Sequence, residues 1–142
     1  MKSYDIDIYH ELNDDLAYRY TLGKSGQKPL IAIGLNPSKA TSGKTDVTVS
    51  KVIGFAERNG FDGFIMLNLY PQRATLHHEL HEEINSIIHS ENIKAIVNCL
   101  AGYEEVNLLA VWGETIKKRA YLKTALQKLI QPFQSEMLDG GR

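Results

Sequence analysis

The stretch Leu30-Ile31-Ala32-Ile33-Gly34-Leu35-Asn36-Pro37-Ser38 decides how this chain is read. A short apolar run with β-branched members, closed by turn residues, reads as a buried strand. Gly34 lets another backbone approach closely, and Pro37 stops the strand and stiffens the turn. Asn36 is thereby delivered to the carboxyl end of a buried strand, which is where open α/β sheets bind ligands.

Two more buried runs follow the first. Gly63 to Leu69 ends in Asn68, with Tyr70, Pro71 and Arg73 close behind, and Asn107 to Trp112 is followed by Gly113. Helical patterns lie between and after them. Asp46 is the expected N-cap of a helix with Val49, Val52, Ile53 and Ala56 on its apolar side and Gly60 at its end. Ile84, Ile87 and Ile88, then Ile96, Val97 and Leu100, predict one broken helix or two short ones. Glu114 to Ile130 is a third helical stretch, striped by Leu122, Ala125, Leu126 and Leu129 and stopped by Pro132. Phe133 to Leu138 is a candidate last strand.

Ahead of all these, Tyr4 to Tyr9 and Ala17 to Leu22 alternate as half-buried strands, joined by the polar turn Glu11 to Asp15. They read as an antiparallel lead-in or edge. Strands alternating with helices imply right-handed parallel crossovers. The predicted fold is an α/β three-layer sandwich with a mostly parallel central sheet. It forms one domain over residues 1–142. The loop Asp139-Gly140-Gly141-Arg142 comes straight after a candidate core strand, so the expectation is that a C-terminal segment is lacking.

Composition bounds the function. At 142 residues, with 43% hydrophobic and 23% charged residues, the chain is long and apolar enough for one real core rather than a disordered segment. Sixteen basic against seventeen acidic residues leave a net charge of -1, which removes any global drive toward tight non-specific DNA binding. Cys99 has no second cysteine to pair with, which fits a reducing cytoplasm. The start Met1-Lys2-Ser3-Tyr4-Asp5 carries no signal peptide, and no apolar run approaches the roughly 20 residues of a membrane span. No cofactor or metal is expected.

If the strands are parallel, Asn36, Asn68 and Trp112-Gly113 all fall on one side, and two carboxamides face one cleft. A carboxamide can orient water through its oxygen, or read a donor and an acceptor on a nucleobase edge. It does not titrate near neutral pH, so it is a poor general base. The alternative is that both asparagines cap loops.

These residues resemble a known superfamily. Gly34-Leu35-Asn36-Pro37 is similar to the water-activating motif of uracil-DNA glycosylases, Gly-Gln-Asp-Pro in one branch and Gly-Ile-Asn-Pro in the mismatch-specific branch. Phe64-Ile65-Met66-Leu67-Asn68 resembles their Leu-Leu-Leu-Asn strand, whose Asn reads the uracil edge. Leu108 to Gly113, followed by Lys117-Lys118, resembles their Leu-Leu-Trp-Gly and Lys-Lys segment. A closer resemblance is to domain-of-unknown-function family 1643, a bacterial and phage family. Its Leu-Asn-Pro-Ser, Asp-X-Thr, Asn-Leu-X-X-X-Arg-Ala-Thr and Trp-Gly motifs are matched by Leu35 to Ser38, Asp46-Val47-Thr48, Asn68 to Thr75 and Trp112-Gly113. The resemblance covers nearly the whole chain and brings no assigned activity.

The resemblance implies a glycosylase-like cleft with DNA, RNA or a nucleobase as partner, and N-glycosidic bond hydrolysis if the cleft is catalytic. Asn36 would be the catalytic residue that positions water. Gly34, Pro37, Ser38, Asn68, Tyr70 and Arg73 would bind substrate, supported by Asp46, Thr48, Trp112 and Gly113. The glycosylases also place a His-Pro motif after the last core strand, beyond Arg142 here. Its His stabilises the developing base anion. A non-catalytic nucleotide or nucleic-acid binding module is the alternative.

The bland alternatives are specific. Lys39, Lys44 and Arg73 flank the cleft and would contact phosphate; the two lysines are equally well read as solvated charge, whereas Arg73 matches the family motif. Asp46 suits a helix cap better than a catalytic acid, and Tyr70 suits the core or rim as well as a stacking platform. Ser38 to Thr45 nearly spells a P-loop, but lacks the first glycine that such a loop needs to wrap phosphates. That leaves a P-loop-like nucleotide hydrolase as a weaker alternative. His77, His78 and His81, with Glu79, miss the zinc-protease spacing and read as a polar helix face. Lys117, Lys118, Arg119, Lys123 and Lys128 read as an exposed helix face with a DNA-facing alternative.

Overall fold

A computed structural model describes residues 5–12, 15–37, 40–73, 85–103, 106–111 and 137–139. In chain order they form β1 (Ile8–Leu12), β2 (Asp15–Lys24), β3 (Pro29–Gly34), α1 (Val47–Arg58), β4 (Gly63–Asn68), α2 (Ser86–Ala101), β5 (Asn107–Val111) and β6 (Met137–Asp139). One six-stranded sheet takes the order β1-β2-β4-β3-β5-β6. It is a mixed sheet. The β4-β3, β3-β5 and β5-β6 pairs are parallel, whereas β1-β2 and β2-β4 are antiparallel.

Every residue of β3 and β4 is buried. A strand covered on both faces has no solvent side to give to polar residues, which is why these two read as unbroken apolar runs. Alternate side chains then serve two cores. Ile31, Ile33, Ile65 and Leu67 pack with Ile96 and Leu100 of α2. Leu30, Ala32, Phe64 and Met66 pack with Val49, Val52 and Ala56 of α1. The helices therefore lie on opposite faces. The topology requires this: α1 links β3 to β4 in one direction, α2 returns past β3 to β5, and right-handed crossovers of opposite direction use opposite faces. Each fully buried Leu, Ile or Phe contributes about 1.5–3 kcal/mol.

Local signals set the helix ends. The Asp46 carboxylate caps α1, accepting from the Val49 N–H at 2.9 Å, and Gly60 follows the helix at φ 77°, where a Cβ would be strained. Asn85 caps α2, its side-chain oxygen accepting from the N–H groups of Ile87 and Ile88.

Two expectations need correction. The isoleucine pattern predicted one broken helix or two short ones, but α2 is one 16-residue helix, with Ile84 outside the described residues. Its buried stripe is Ile88, Asn92, Ile96 and Leu100, while Ile87 is 75% and Val97 55% exposed. A polar residue at a core position disguised the stripe. The first strand begins later than the Tyr4 to Tyr9 alternation suggested, and Glu11 lies inside it rather than in a turn. The strand tolerates this charge because the Glu11 carboxylate accepts from the Tyr9 hydroxyl at 2.9 Å and lies 3.8 Å from Arg73 Nη1. Of the expected last strand Phe133 to Leu138, Met137 and Leu138 fall in β6, and residues 133–136 lie outside the described residues. The predicted helix from Glu114 to Ile130 lies outside the described residues. Among the described residues, no helix is long and apolar enough to cross a membrane.

Candidate functional site

The carboxyl ends of three parallel strands are level. Gly34 is the register partner of Asn68 on one side and of Val111 on the other. The β3-β4 ladder runs on past the strands, with Leu69 N–H donating to Gly34 O at 3.0 Å and Tyr70 N–H to Leu35 O at 3.1 Å. Those bonds bring the segment after β3, which carries Asn36, beside the segment after β4, which carries Gln72 and Arg73.

Asn68 is fully buried, and among the described residues neither its Nδ2 nor its Oδ1 has a hydrogen-bond partner. Leaving one such buried group unsatisfied costs about 1–3 kcal/mol. Its main-chain carbonyl, by contrast, is well served: Asn92 Nδ2 donates to Asn68 O at 2.8 Å and to Leu69 O at 3.4 Å. A buried Asn92 thus ties α2 to the end of β4.

Asn36 is half-buried, and its Nδ2 donates to Pro37 O and Gln72 O, each at 3.2 Å. The loop that follows converges on Ala40. The Ala40 carbonyl accepts from Arg19 Nη1 at 2.9 Å and from Arg73 Nη2 at 3.0 Å, while the Ala40 N–H donates to Asp46 Oδ2 at 2.9 Å. Arg73 Nη2 also donates to the Tyr9 hydroxyl at 2.7 Å. Burial pushes the Tyr9 phenol up, opposed by the neighbouring Arg73. Two guanidinium groups and the Asp46 carboxylate therefore converge on the main chain of one residue, Ala40, with Glu11 beside Arg73.

The expected site residues separate into groups. Gly34, Pro37, Asn36, Asn68 and Arg73 stand at or beside the strand ends. The Arg73 guanidinium is turned toward Tyr9, Ala40 and Glu11, with its side chain 13% exposed. Tyr70 is buried in the core, and its hydroxyl accepts from the Asn85 N–H at 3.0 Å, at the start of α2. Burial also pushes the Tyr70 phenol up. Asp46 is a helix cap, and Thr48 is exposed on α1. Thr48 lines a cavity of about 280 Å³ with Lys51 and Phe55, floored by Leu109 and Val111 of β5. Ser38, Lys39, Trp112 and Gly113 lie outside the described residues, as do His77, His78, Glu79, His81 and the basic cluster from Lys117 to Lys128. Among the described residues, no group of three His, Cys, Asp or Glu is placed to hold a metal ion.

The P-loop alternative meets a physical obstacle. A P-loop turns free N–H groups at a helix start toward phosphate. Here the Asp46 carboxylate bonds the N–H groups of Val49 and Ala40, and Thr41 and Lys44 close a turn on each other through main-chain bonds.

Arg19 and Asn92 are the residues that sequence reasoning missed. Each carried a faint signal: an arginine inside an alternating strand, and an asparagine at the i+4 step between Ile88 and Ile96.

A family model described as a protein of unknown function, DUF1643, matches residues 19–138. The chain belongs to the DUF1643 family. The match takes in the ends of β3, β4 and β5 and both helices, and thus the whole Asn36, Asn68 and Arg73 arrangement. No curated protein and no solved structure gives a significant match. Membership in DUF1643 carries no activity with it, and the uracil-DNA glycosylase resemblance rests on the motifs alone.

Proposed function

We propose that the carboxyl ends of β3, β4 and β5 bind a nucleobase, free or within a nucleic acid, by its amide-like edge, as the glycosylase-like motifs imply. The observation that carries this reading is the buried carboxamide of Asn68, which has no hydrogen-bond partner among the described residues. A carboxamide offers one donor and one acceptor side by side. A ring edge bearing the complementary pair would satisfy both at once, and a base reaching so deep a group would have to leave any stack it belonged to. In this reading, Asn36 orients water for attack at the sugar carbon, its side-chain nitrogen fixed by Gln72 O. The glycosylase-like α/β architecture belongs to the same proposal, supported by helices on both faces of the sheet.

Binding without chemistry is the second reading. It is favoured by the identity of residue 36, because an asparagine cannot take up a proton from water near neutral pH. Calorimetry with uracil, cytosine, adenine and guanine tests the shared part, and heat from none of them would sink both readings. Base release from uracil-containing single- and double-stranded DNA, compared between the protein and Asn36→Ala, separates the two. Release lost in the variant supports hydrolysis, whereas binding without release supports the module.

A further inference from the structure

We infer that Arg19 is a positioning residue for Asn36, delivered to the cleft by a bulge in β2. This rests on the reading of Asn36 given above, but the device itself is argued from geometry. In the β1-β2 pair, Tyr9 faces Leu22 and His10 faces Thr21, yet Glu11 faces Arg19, so Tyr20 is an extra residue on β2. Tyr9 and Leu22 belong to the α1 face, while His10 and Thr21 line a cavity on the α2 face. Unbroken alternation would send Arg19 to the side of Thr21. The extra Tyr20, whose ring lies 4.8 Å from that of His10, returns Arg19 to the side of Glu11 and Tyr9. Re-aiming a side chain in this way is a common use of bulges beside functional sites.

Arg19 then holds two segments with one residue. Its main-chain N–H donates to Pro71 O at 3.0 Å, in the segment after β4. Its guanidinium donates to Ala40 O, in the loop after β3. Asn36 bridges the same two segments through Gln72 O, so the direction of its carboxamide depends on how they are spaced. Arg73 supplies the second donor to Ala40 O, one guanidinium for each lone pair. A lysine at position 19 would keep the charge but lose the planar fork.

Hydrogen exchange and NMR on the full chain test this, using Arg19→Met and Arg19→Lys, with Arg73→Lys as a second approach to the same carbonyl. In Arg19→Met, exchange of the amides from Thr41 to Thr45 should rise about tenfold, the effect of one lost charge-assisted bond, with the β3 and β4 amides unchanged. The Asn36 side-chain amide signals should move toward those of a free carboxamide, with a smaller move in Arg19→Lys. Uracil, the probe in calorimetry, should bind about tenfold more weakly to Arg19→Met. Unchanged exchange between Thr41 and Thr45, a uniform rise across the sheet, or loss of the fold in both position-19 variants would each overturn the inference. If exchange and Asn36 signals respond as expected while the unaltered protein binds no base, the positioning role stands and the base-binding reading falls.

Discussion

The carboxamide of Asn68 occupies the space that a side chain at Gly34 would need. A Cβ built on Gly34 would stand 3.0 Å from Asn68 Oδ1 and 2.8 Å from Met66 Cε. Met66 ends in a flexible thioether and can give way, but Asn68 is fully enclosed. The glycine of the opening motif is thus matched to the asparagine of the neighbouring strand.

Gly34→Ala should therefore push the Asn68 amide from its position. The expected result is a loss of about 1–3 kcal/mol in urea unfolding, the usual range for overpacking. Uracil binding by calorimetry should fall by more than that loss alone accounts for, because the reading group itself moves.

Asn68→Leu should separate stability from function. The leucine is close in size and brings no polar atoms into a place where, among the described residues, both polar atoms lack partners. Unfolding in urea should show unchanged or increased stability, by up to about 1–3 kcal/mol, while base binding disappears. A large destabilisation would mean that the Asn68 amide serves the fold.

Asn92→Leu should do the opposite. Its Nδ2 serves the carbonyls of Asn68 and Leu69, and the substitution would strand both in a dry interior. A loss of about 1–3 kcal/mol is expected in the same measurement. Exchange should quicken at the β4 end and the first turns of α2.

The Cys99 thiol gives a pH prediction. Burial pushes its pKa from 9.0 up to about 11. In the unfolded chain the thiol ionises first, so the stability linked to it is complete below pH 9 and is lost as pH rises toward 11. Urea midpoints measured from pH 8 to 11 should fall less in Cys99→Ser than in the unaltered protein. Iodoacetamide should label native Cys99 slowly at pH 8, since the thiolate is the reactive form.

Much of this fold was legible because β3 and β4 are buried on both faces and carry unbroken apolar runs, and because Asp46 and Gly60 bracket α1 with strong local chemistry. The carboxyl ends that gather Gly34, Asn36 and Asn68 followed from the same runs. What escaped were features in which a polar residue does the work of the core. Asn92 hid the stripe of α2 because its role depends on two carbonyls that are distant in sequence. Glu11 reads as a turn residue, and Arg19 draws no role inside its alternating strand, because a bulge and the Ala40 hub are long-range facts that no local periodicity encodes. Tyr70 shows the converse, with an aromatic beside the motif enclosed in the core, its hydroxyl serving the start of α2.

The Ala40 hub also bears on how this protein can be cut for study. The family match begins at Arg19, and a fragment trimmed to that boundary looks like a natural minimal unit. It would discard Tyr9 and Glu11, the two β1 side chains that receive Arg73. The central strands could still assemble, yet Arg73 would hold the loop without its Tyr9 and Glu11 contacts. The first strand, outside the matched span and at the edge of the described sheet, is thus part of what holds the Arg73 guanidinium in place.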